Sequence, residues 1–95
     1  MKPYVATTEQ RGIFFGYLPD DADTTQKTLR FLDARMIIKW HPEKVHGVMG
    51  LVVTGPGSDC RVGPRVDAIV ISNITAVATP TPAAVQRWEA EPWSK

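Results

Sequence analysis

The stretch KTLRFLDARMIIKW, residues 27–40, carries the strongest indication of the fold. Its β-branched and aromatic residues favour one long β-strand over the alternative of a helix. Leu29 and Phe31 share one face of this strand. The alternation of side chains then changes phase at Asp33 and Ala34, which a β-bulge or a tight corner would produce. We therefore expect a long strand with an irregularity in its middle.

Three further segments have the composition of strands. They are residues 4–8, 12–18 and 67–79. The last of them again changes phase, at Ser72 and Asn73. The order of the elements along the chain suggests that these strands form an antiparallel sheet.

Two segments concern helices. Residues 47–54, GVMGLVVT, fit either a two-turn helix or a buried strand, although the following Gly55 and Pro56 are typical of a helix end. Further on, Thr81 can cap a helix and Pro82 suits its first position. The predicted fold is α+β: a small twisted antiparallel β-sheet or open barrel, with a short inserted helix and a short C-terminal helix.

The composition indicates one globular domain over residues 1–95, with 43% hydrophobic and 22% charged residues. A net charge of +1 argues against DNA binding. One cysteine, no secretory signal and no apolar run of membrane-spanning length predict a cytoplasmic protein with no membrane contact. A chain of 95 residues has a small hydrophobic core, and such chains often gain stability by association, so we expect a homo-oligomer.

The block HGVMGLVVTGPGSDCRVGPR, residues 46–65, is the candidate ligand site. Its glycines would let a ligand approach the backbone, its arginines suit a phosphate or carboxylate, and aromatic rings elsewhere could stack on a base. The candidate ligand-binding residues are Gly47, Gly50, Gly57, Arg61, Arg65, Trp40 and Phe15. The alternative is that the glycines serve only turn geometry while the arginines pair with Asp59 and Asp67. The spacing matches no known nucleotide-binding loop.

Catalysis has little support in the sequence. Cys60 could be a nucleophile activated by Arg61, with His41 or His46 as base, but no third group is evident to orient the base. A lone cysteine is more often a small buried residue. One cysteine and two histidines are also too few for a structural zinc site. We predict a non-enzyme with no catalytic residue, no metal and no cofactor.

Four segments in fixed order resemble a family of small uncharacterised proteins, a domain of unknown function encoded by tailed phages, prophages and their bacterial hosts. They are RGIFFGY, LDARMIIKW, GVMGLVVTGPGSDCRVGPR and NITAVATPTPAAVQRWEAEPW, within residues 11–93. The resemblance implies a phage-type accessory protein in the cytoplasm of a bacterial host. It implies no catalytic residue.

Two hypotheses for function follow. The first is a non-enzymatic accessory protein that interferes with a host defence pathway by binding a small anionic ligand, such as a signalling nucleotide. The alternative is a protein–protein inhibitor or structural protein that contacts a host protein through its aromatic surface. That surface would comprise Phe14, Phe15, Tyr17 and the segment from Trp88 to Trp93.

Overall fold

The computed structural model describes residues 1–10, 12–40, 47–57 and 60–90. It has six strands and two short helices, which confirms the predicted α+β class. The strands are β1 (Lys2–Thr8), β2 (Ile13–Leu18), β3 (Leu29–Lys39), β4 (Arg61–Val62), β5 (Val66–Ile71) and β6 (Ile74–Ala78). The helices are α1 (Gly47–Val53) and α2 (Pro82–Ala90).

The strands form one open sheet in which every observed pairing is antiparallel. Its order is β4-β3-β2-β1-β6, and β5 pairs with β3 beside β4. Only Ser72 and Asn73 separate β5 from β6, although β5 pairs with β3 near one end of the path and β6 forms the other end. The sheet must therefore curl towards a barrel. Two backbone hydrogen bonds of 3.0 Å hold the turn between β5 and β6: Ile74 N donates to Lys27 O, and Glu9 N donates to Asn73 O.

The predicted irregularity in β3 is present. Phe15 lies opposite Arg35 and Tyr17 lies opposite Leu32, so β3 has one residue more than β2 between these two pairs. Asp33 is the bulged residue, with a φ of 47°. Aspartate tolerates this left-handed conformation better than most residues do.

The prediction of a single strand over residues 67–79 was wrong in one respect. The segment is two strands, β5 and β6, and the break falls where the phase changes. Asn73 adopts a φ of 58°, which turns the chain from one edge of the curled sheet to the other. The ambiguous segment 47–54 is a helix through Val53. Gly55, with a φ of 79°, ends it as a left-handed C-terminal glycine does.

Each face of the sheet has its own core. One core contains Phe15, Leu51 and Trp88, and both helices pack on it. The other contains Leu18, Phe31 and small or β-branched residues inside the curl. The sheet therefore has a face covered by helices and a face covered only by its own curvature.

Three hydrogen bonds join α2 and its cap residue to α1, and the first runs from Thr81 N to Val52 O at 3.0 Å. The Thr81 hydroxyl accepts a bond from Ala84 N at 3.1 Å, as predicted for a cap, and donates to Val53 O. The Trp88 indole Nε1–H donates to Leu51 O at 3.1 Å. These bonds fix the two helices as one layer.

A buried arginine ties this layer to the sheet. Arg35 is 5% exposed. Its Nε donates to Gly63 O at 2.9 Å and its Nη1 donates to Trp88 O at 2.8 Å. A cation is favourable beside the carbonyl end of a helix, so Arg35 holds the last turn of α2 against β3.

Candidate functional site

Phe15 belongs to the core. It is fully buried, and its ring stacks on Trp88 with centroids 5.5 Å apart and planes 9° apart. Tyr17 meets the same ring edge-on. A base could reach Phe15 only by displacing Trp88, so the predicted stacking role of Phe15 does not fit the structure. Residue alternation could not decide this, because Phe14 is equally apolar and lies on the other face.

The glycines of the block have structural roles. Gly50 is buried in α1, and its carbonyl accepts bonds from the amide and hydroxyl of Thr54 at 2.8 and 2.9 Å. The Gly57 carbonyl accepts a bond from Cys60 N at 3.0 Å. Gly47 has a φ of 76° at the start of α1 and open space on its Cβ side. Of the three, Gly47 has the positive φ that favours glycine.

The side chain of Arg65 lies beside the end of α2. Its Nη1 is 3.9 Å from Glu89 Oε1, whereas the sequence suggested Asp67 as its partner. The Tyr17 hydroxyl donates to the same carboxylate oxygen. Burial, and then this bond to Glu89, raise the pKa of Tyr17 to about 12. Arg65 thus belongs to a tyrosine–carboxylate–arginine cluster.

The remaining candidates meet at the far end of β3. Arg61 pairs with Lys39 across β4 and β3. Trp40 follows Lys39, is half-buried, and lines a cavity of about 400 Å³. Val48, the residue after Gly47, lines the same cavity. We call Lys39, Trp40 and Arg61 the basic corner.

Lys39 was not among the predicted site residues. It joins the site because β4 places Arg61 opposite it, next to a register shift between Ile37 and Lys39. Like charges at directly opposed positions repel each other. The Met1 amine pairs with Asp20, and Arg65 pairs with Glu89. Neither cation of the basic corner takes part in them.

The arrangement suits an anion with a flat apolar group. A phosphate or carboxylate between Lys39 and Arg61 would relieve their repulsion, and arginine can bind it through two N–H groups. The face of an indole can stack on a nucleobase. The cavity beside Trp40 is lined mainly by apolar side chains and backbone: Thr7, Gly12, Ile13 and Val48.

Cys60 and the two histidines are the residues that the sequence offers for catalysis and metal binding. Cys60 is 7% exposed and packs in the helix-covered core beside Val62. Within residues 1–10, 12–40, 47–57 and 60–90, no three His, Cys, Asp or Glu side chains gather into a metal-binding group. His41, His46 and Asp59 lie outside the described residues. No helix in the described part of the chain has the length and apolar character needed to cross a membrane.

These features define a small α+β protein with a curled antiparallel sheet and a basic corner at one end of its longest strand. Residues 1–88 match the model of a family described as a domain of unknown function (DUF6948), and the chain belongs to that family. No curated protein matches the chain. No solved structure matches it either.

Proposed function

We propose that the protein is a non-enzymatic binding protein that holds a small anionic ligand, such as a signalling nucleotide, at the basic corner. The observation that carries the proposal is the cross-strand pairing of Lys39 with Arg61 beside the cavity lined by Trp40. The cations would bind the phosphate and the indole would stack on the base. The resemblance to phage and prophage proteins supports a role as an accessory protein that sequesters a host defence signal in a bacterial cytoplasm.

Most residues of the aromatic surface in the alternative hypothesis are not free to contact a host protein. Phe15 and Trp88 are fully buried, and the hydroxyl of Tyr17 is bonded to Glu89. Trp93 lies outside the described residues. Phe14 and Tyr17 remain partly exposed, but they lie on opposite faces of the sheet. The basic corner is therefore the better supported candidate.

The test is a thermal-shift and calorimetry panel of cyclic and linear nucleotides, with inorganic phosphate for comparison. A ligand at a hundredfold its Kd stabilises by about 2.7 kcal/mol. For a domain of this size that raises Tm by roughly 10–20 °C. Arg61→Ala and Lys39→Ala should each weaken binding by about tenfold or more, because each removes a charge-assisted contact.

Arg30→Ala is the matched control. Arg30 is an exposed arginine on the same strand, near its other end, so the variant has the same loss of charge. It should bind as the unaltered protein does. A panel with no shift for any nucleotide would refute the proposal. Equal losses in Arg30→Ala and Arg61→Ala would assign any binding to net charge and refute the site.

A further inference from the structure

Strand β5 presents an open edge. Among the described strands it pairs only with β3, and five of its six residues, Val66 to Val70, are exposed or half-buried. Its sequence, VDAIVI, has one charged residue, Asp67. Edge strands are ordinarily protected by lysine, proline or a covering element, since a bare apolar edge pairs with other strands. A six-residue segment of high β-propensity and low charge is the kind most prone to such pairing.

Apolar side chains extend from this edge onto the face of the sheet that no helix covers. Two adjoining hollows, of about 280 and 240 Å³, share the side chains of Phe14, Met36 and Ile69. Four of the apolar residues that line these hollows are strongly exposed: Met36 (43%), Ile38 (58%), Val66 (40%) and Val70 (61%). The edge and the hollows therefore form one continuous, mainly apolar surface, which we call the β5 surface.

We propose that the β5 surface is a homodimer interface, in which β5 pairs antiparallel with β5 of a second copy. A two-fold interface uses the same patch on both chains, so the patch must be compatible with itself. In a register centred on Ala68, Val66 lies opposite Val70 of the second copy and Asp67 lies opposite Ile69. No like charges face each other, and cross-strand apolar pairs are stabilising.

The charge of the strand favours a second copy over a foreign strand. Asp67 is the only charged residue of β5, so the strand has few charges with which to recognise a basic or an acidic partner strand. Self-pairing needs no such selection, and it covers the exposed valines at both ends of each strand at once. The interface lies on residues outside the basic corner, so the inference is independent of the proposed function.

The experiment is sedimentation of the full chain across a concentration series, with Val70→Lys as the disrupting variant. Val53→Lys is the matched control, because Val53 is 55% exposed on α1 and makes no part of the β5 surface. Both variants should keep the far-UV circular dichroism of the unaltered protein. We expect a dimer for the unaltered chain and for Val53→Lys, and a dimer Kd raised at least about tenfold for Val70→Lys.

Hydrogen exchange gives the second measurement. Amides of β5 should be protected in the dimer and lose protection on dilution, or in Val70→Lys, while β2 amides remain protected. A monomer at every soluble concentration would overturn the proposal, as would assemblies larger than two. A dimer weakened equally by Val53→Lys and Val70→Lys would also overturn it.

Discussion

The role of Trp88 gives the sharpest stability prediction. Its side chain is fully buried, stacks on Phe15 and donates from Nε1 to Leu51 O. Replacing it with alanine removes the largest buried side chain in the molecule's described part. Truncation of a buried tryptophan to alanine costs about 3–5 kcal/mol. Domains of this kind are stable by about 5–15 kcal/mol, so Trp88→Ala should lie near the limit of folding.

Trp88→Phe separates the contribution of the ring stacking from that of the Nε1 hydrogen bond. A phenylalanine ring keeps the stack on Phe15 but leaves Leu51 O without the indole donor. An unsatisfied buried acceptor costs about 1–3 kcal/mol. Each kcal/mol lowers Tm by roughly 4–8 °C in a domain of this size. The expected order of stability is unaltered protein, then Trp88→Phe, then Trp88→Ala.

Urea denaturation followed by far-UV circular dichroism measures this order without depending on tryptophan fluorescence. Trp40→Phe is the control, because Trp40 is half-buried and, within the described part of the chain, its indole has no hydrogen bond. The placement of Trp88 would be refuted if Trp88→Phe lost no more stability than Trp40→Phe. A Trp88→Ala variant with an unchanged midpoint would refute it outright.

Two further predictions concern backbone strain and pH. Gly55→Ala should be less stable than Gly47→Ala by about 1–3 kcal/mol. Both positions have a positive φ, but only at Gly55 would the added Cβ collide, because it would lie 2.8 Å from Arg87 Cβ. Equal losses of Tm in the two variants would contradict this. For Tyr17, the pKa of the phenol is about 12 in the folded state, against 10.0 ordinarily. The stabilisation that this raised pKa gives the folded state is therefore complete below pH 10 and is lost between pH 10 and 12. Tyr17→Phe should show a flatter decline in denaturation midpoint over that range, and parallel declines would disprove the raised pKa of Tyr17.

Local patterns in the sequence predicted the features that depend on local chemistry. The bulge at Asp33 follows from a visible change in alternation, and the cap at Thr81 follows from a hydroxyl three residues before Ala84 N. The helix over 47–54 was one of two open choices, since a short apolar run fits both structures. Its end at Gly55 was predicted for the helical choice.

The features that depend on distant parts of the chain were not predictable. Strand β4 has only two residues, Arg61 and Val62, and it exists because β3 offers it an edge. Without β4, nothing in the sequence brings Lys39 opposite Arg61. The choice of Phe15 over Phe14 for the helix-covered core likewise depends on Trp88, more than seventy residues further along the chain. Of the predicted ligand residues, Trp40 and Arg61 therefore came together through tertiary pairing.

The position of β1 has a consequence for how the chain folds during synthesis. β1 lies between β2, which follows it directly, and β6, which begins at Ile74. The β1–β2 hairpin can form early, but at 5–20 residues per second synthesis reaches the strand that completes the sheet roughly 3–11 s later. A nascent chain therefore leaves the outer edge of β1 unpaired and the ring of Phe15 uncovered until β6 and α2 have been made.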